Sequence, residues 1–62
     1  MKTSRTILFT ELETSDEGLI VIRSDEGSVA LALSLRKNGD MEVVMSKVDA
    51  KRLLEALSEV TD

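Results

Sequence analysis

Two copies of Ser-Asp-Glu-Gly, at 15–18 and 24–27, set paired carboxylates beside turn residues, the raw material of an oxygen-ligand cation site. A hard cation needs several such oxygens converging on one point. The nine-residue spacing is that of a β-meander, whose successive turns lie at opposite ends of a sheet. Asp16/Glu17 and Asp25/Glu26 therefore cannot converge within one chain, and they read as two solvated hairpin turns. No metal is expected. Paired carboxylates can also act as general acid and base, but Glu11, Glu13 and Glu42 read more simply as solvent-facing strand residues. Acid–base work needs a water-excluding cleft, for which a chain of 62 residues has little volume. Histidine, cysteine, tryptophan and tyrosine are all absent, so Ser-His and Cys-His nucleophiles are excluded. The three glycines all fall in expected turns and form no phosphate loop. The expectation is a non-catalytic protein without a cofactor.

The elements that carry these residues centre on 28–46, SVALALSLRKNGDMEVVMS, which reads as a β-hairpin. Val29, Leu31, Leu33 and Leu35 alternate with Ala30, Ala32, Ser34 and Arg36, the period-two signature of a strand with one buried face. Met41, Val43 and Met45 resume the alternation after Lys37-Asn38-Gly39. A two-residue Asn-Gly turn would set Leu35 against Glu42 and mix apolar with charged residues. A three-residue turn over Lys37-Asn38-Gly39, with Gly39 left-handed, pairs Leu35 with Met41, Leu33 with Val43 and Leu31 with Met45. A one-residue slip turns a strand over, so the burial pattern favours the three-residue turn.

Before the hairpin, Thr6–Glu13 reads as a first strand and Leu19–Arg23 as a second, with residues 1–5 frayed. After it, Ser46-Lys47-Val48-Asp49 is a capping-box variant with Ser46 as N-cap. Ala50, Leu53, Leu54, Leu57 and Val60 then follow the spacing of an amphipathic helix. Arg52 and Glu55 can pair at i, i+3 on its wet side. The fold class is α+β: a four-stranded antiparallel β-meander followed by one C-terminal α-helix packed on one face (β-β-β-β-α), in a single domain, 1–62.

A chain of this size buries only about 60% of its unfolded surface and is marginal without support. Neither disulfides nor zinc can supply that support here, which leaves oligomerisation. The N-terminal apolar run, Ile7-Leu8-Phe9, is too short for a signal-peptide core or a membrane span. A cytoplasmic protein without membrane contact is the expectation. Eight Lys and Arg against twelve Asp and Glu give a formal charge of −4, which argues against binding driven by phosphate neutralisation.

A second three-residue turn, over Asp25-Glu26-Gly27, would put Leu19 and Val21 on the leucine-bearing face under the helix. The other face would then hold Ile20, Ile22, Ala30, Ala32 and Val44. One helix cannot cover both sides, and contiguous apolar surface marks an interface. These five residues are the expected homodimer contact, with the alanines allowing close approach.

The ending EVVMSKVDAKRLLEAL after a four-stranded meander resembles the positive-cofactor family of single-stranded-DNA-binding transcriptional coactivators. That resemblance implies the β-β-β-β-α order and dimerisation. It also implies a nucleic-acid reading, to which no binding residue carries over; Arg5, Arg23, Arg36, Lys37 and Lys47, the cations on offer for it, are scattered among acidic neighbours. The chain departs from the pattern where binding would lie. Phe9 is its single aromatic, whereas sheet-type binders stack bases on several. The favoured expectation is a homodimeric interaction or regulatory domain working through protein–protein contacts, its partner unspecified. A dimeric nucleic-acid-binding regulator is the alternative.

Overall fold

The structure, a computed structural model, describes residues 3–62. Strands β1 (Thr3–Thr10), β2 (Glu17–Asp25), β3 (Ser28–Leu35) and β4 (Gly39–Ser46) form one antiparallel sheet in sequence order, and helix α1 (Lys47–Thr61) follows directly. This is the β-β-β-β-α order expected from the sequence.

The first strand begins and ends three residues before its expected bounds. Of the five residues expected to fray, Thr3, Ser4 and Arg5 pair with Ser24, Arg23 and Ile22 of β2; the other two lie outside the described residues. Glu11 ends β1 because its carboxylate accepts from the amides of Glu13 and Thr14, both at 3.0 Å, and from the Thr14 hydroxyl at 2.7 Å. The Glu11 amide donates to the Asp16 carbonyl at 2.8 Å, closing the loop, and Ser15 takes a left-handed φ of 61° inside it. The first Ser-Asp-Glu-Gly is thus split between a loop and a strand. Gly18, expected in a turn, lies in β2 opposite Phe9. A Cβ there would meet Cζ, Cε1 and Cε2 of the Phe9 ring, the last at 2.8 Å. The ring covers the strand where a side chain is missing.

The second Ser-Asp-Glu-Gly does form a hairpin turn, but with two residues in its loop instead of three. Asp25 pairs with Ser28, leaving Glu26 and Gly27 between them, with Gly27 at φ 72°. The Asp25 carboxylate accepts from the Glu26 amide at 2.9 Å and tightens the turn. This odd change of register turns β2 over relative to the expectation. Leu31 now faces Ile22 and Leu33 faces Ile20, while Ala32 faces Val21.

The β3–β4 turn has three residues, but they are Arg36, Lys37 and Asn38, and Gly39 pairs with Leu35 at φ 92°. Leu33 therefore meets Met41, Leu31 meets Val43 and Val29 meets Met45. The shift from the expected pairing is two residues, which keeps every side chain on its expected face. Its cause is tertiary. The Arg36 amide continues the ladder to the Glu17 carbonyl at 3.0 Å, and the Lys37 amide donates to the Asp16 carboxylate at 2.9 Å.

The helix starts where the sequence places it. Ser46, at φ −68° and ψ 159°, accepts from the Asp49 amide at 3.1 Å. The Lys47 amide, one of the donors a helix start leaves over, reaches the Gly27 carbonyl at 3.3 Å. This bond ties the helix to the β2–β3 turn. Arg52 lies 3.5 Å from Asp49 at i, i−3, in place of the expected Glu55.

The helix lies over β3 and β4 and reaches Ile22 of β2 at its edge, leaving the rest of β2 and β1 uncovered on that side. The molecule is a plate of 34 × 27 × 15 Å. Its radius of gyration is 12.7 Å, against about 10.6 Å for a compact chain of this length. Among the described residues no apolar side chain is fully buried.

A candidate interface on the sheet

Pairing register decides which residues share a side. The helix side carries Ile7 and Phe9 from β1, Ile20 and Ile22 from β2, the valine–leucine row of β3 and the methionines and Val43 of β4. The opposite side carries Leu8, Leu19, Val21, Ala30, Ala32 and Val44, interleaved with charged and hydroxyl residues. The five expected interface residues are therefore divided. Ala30, Ala32 and Val44 stay together on the side away from the helix. Ile20 and Ile22 stand on the helix side, and Leu19 and Val21 replace them opposite. The two-residue Glu26-Gly27 turn is the whole reason.

The alanines have a local explanation. The Arg23 guanidinium on β2 and the Glu42 carboxylate on β4 form an ion pair across the intervening strand β3. Their nearest β3 neighbours are Ala30 and Ala32, and small side chains leave room for the two long ones to meet. A depression of about 290 Å³ at one end of this side is rimmed by Ser4, Arg23, Asp25 and Ser28 around Ala30 and Val44. It is a polar-rimmed surface.

The helix side is different in kind. Ile22, Val29, Leu31 and Met45 line a groove of about 170 Å³ under Ala50, Leu53, Leu54 and Leu57. Beyond the helix, Phe9, Leu33, Leu35 and Met41, with Glu11, Asn38 and Asp40 at the turn end, line a second depression of about 290 Å³. Much of this apolar surface is open: Met41 is 60%, Leu57 52% and Leu54 66% exposed, although all three belong to the side a core would occupy.

The five basic residues of the nucleic-acid reading are not brought together. Arg5 sits at the edge of the helix side, where its guanidinium donates to the Ser4 carbonyl. Arg23 lies on the other side, held by Glu42, and Arg36 reaches Glu17 at 2.5 Å. Lys37 is in the β3–β4 turn and Lys47 begins the helix at the opposite end. Two of the five are neutralised by carboxylates.

The acidic pairs stand apart as the meander requires, and no group of ligand residues among those described could hold a metal ion. Asp16 is engaged otherwise. It is 5% exposed, and its carboxylate accepts from the Lys37 amide at 2.9 Å and from Asn38 Nδ2 at 3.1 Å. Sequence reasoning missed this residue, because its partners lie twenty-one and twenty-two positions away. Glu11, considered above as a general acid or base, is committed to the loop. The Glu13 amide first, then the Thr14 hydroxyl, hold its pKa below the ordinary carboxylate value. A carboxylate held ionised in this way is a poor proton donor.

No family model, curated protein or solved structure matches the chain. No helix among the described residues is long and apolar enough to cross a membrane.

Proposed function

We propose that this chain is a non-catalytic interaction domain that works as a homodimer in the cytoplasm, with a regulatory role exercised through protein–protein contacts. One observation carries the reading. The accessible surface is 5255 Å², whereas a compact monomer of 6.8 kDa exposes about 3950 Å². The excess of about 1300 Å² per chain, removed in a pair, is a total of about 2600 Å², within the range of permanent homodimers. A chain with no fully buried apolar side chain among its described residues and no cysteine to form a disulfide gains its missing burial most directly from a second copy.

Sedimentation equilibrium at tens of micromolar, together with melting at several protein concentrations, tests this. A dimer whose melting temperature rises with concentration is the expected result. A monomer with a concentration-independent melt overturns the reading. Titration with single-stranded and duplex DNA across a salt series should give no micromolar binding. Tight binding with a steep salt slope would replace the protein-contact role with the nucleic-acid one.

A further inference from the structure

We propose that the two copies seal against each other through the helix-bearing side of the sheet, each inserting the exposed flank of its helix into the other's open groove. This rests on the homodimer reading above. Charge selects the side. Strand residues facing the helix carry one formal charge, Arg5 at the edge, with Glu11 and Asp40 also lining the end of the Leu33–Met41 depression, whereas Arg23, Glu42 and Glu17 stand on the opposite side. Sealing that opposite side would strip water from charged groups, a penalty ion pairing does not reliably offset.

Area selects it again. The helix covers the sheet over Ile22, Val29, Leu31 and Met45 and leaves Phe9, Leu33, Leu35 and Met41 open beside it. The helix itself keeps Leu54, Leu57 and Val60 at 66%, 52% and 78% exposure. A single copy thus displays an apolar ridge and an apolar groove on one side, and cannot bring its own ridge to its own groove. A two-fold axis joins them reciprocally, ridge to groove and groove to ridge, as an isologous contact requires. The depression of about 290 Å³ at Leu33 and Met41 has room for large aliphatic side chains.

Ala32 and Leu33 are adjacent in the chain and point to opposite sides, which makes a matched pair of variants. Ala32→Glu should remain dimeric in sedimentation at tens of micromolar, and Leu33→Glu should lose the dimer. The reverse pattern overturns this inference while leaving the homodimer intact; a monomeric wild type removes the homodimer itself. If Leu33→Glu fails to fold, cysteine cross-linking decides, helped by the absence of native cysteine. Met41→Cys and Leu57→Cys proteins are mixed and oxidised. The mixed disulfide should outweigh both self-linked species; a yield no higher than in denaturant overturns the ridge-to-groove contact.

Discussion

Asp16 offers the sharpest test of how this plate is held together. Its carboxylate joins the β1–β2 loop to the β3–β4 turn by accepting from the Lys37 amide and the Asn38 side chain while almost wholly shielded from water. Asp16→Ala strands both donors. Hydrogen bonds to a charged acceptor contribute about 1.5–3 kcal/mol, so the variant should lose about 2 kcal/mol. For a chain of this length the unfolding entropy is about 130 cal/mol/K, which converts that loss to roughly 15 °C in melting temperature. Asn38→Ala removes only the side-chain donor and should cost about a third as much. Combined with Asp16→Ala it should add little, because the two residues share one bond. The assay is thermal unfolding by circular dichroism at one fixed protein concentration. An Asp16→Ala melt within 3 °C of wild type, or full additivity with Asn38→Ala, would refute the reasoning.

Three further outcomes are expected. Ser46→Ala removes the acceptor for the Asp49 amide and should cost about 1 kcal/mol, read as several degrees of melting temperature. Gly18→Ala should destabilise by about 1–2 kcal/mol, because the new methyl displaces the Phe9 ring; a gain in stability in chemical denaturation would show that the ring moves freely. Glu11 has a lowered pKa in the folded chain, so its contribution is present above the ordinary glutamate value of about 4.3 and is lost as pH falls through the lower folded value. Stability measured from neutral pH to about pH 3 should therefore fall less steeply in Glu11→Gln than in wild type.

The alternation in 28–46, the Ser46 cap and the helical spacing of its leucines are local, and all three could be read without a structure. The parity of the β2–β3 turn could not. Asp25-Glu26-Gly27-Ser28 suits a two-residue or a three-residue loop equally well, and choosing three misplaced Ile20, Ile22, Leu19 and Val21 together. Both options leave aliphatic residues on both sides, so hydrophobic pattern alone did not separate them. The β3–β4 register missed for another reason, since Asp16 captures the turn from a distant loop. Gly18 looked like turn chemistry because its neighbours repeat at 24–27, whereas its place is set by Phe9 across the strand pair. Ala30 and Ala32 have a second reason to be small that the sequence does not show, since Arg23 and Glu42 meet across them.

The two residues Glu26 and Gly27 act as a parity bit for the whole sheet. Inserting one residue there would leave each half of the meander internally intact and rotate one half against the other. Ile7, Phe9, Ile20 and Ile22 would then emerge on the side away from the helix, and Leu8, Leu19 and Val21 would take their places. Glu17 and Arg23 would travel to the helix side with them, and Phe9 would leave the depression beside Leu33 and Met41. A single added residue in this turn should thus dismantle the proposed ridge-to-groove contact, with no change to any strand sequence.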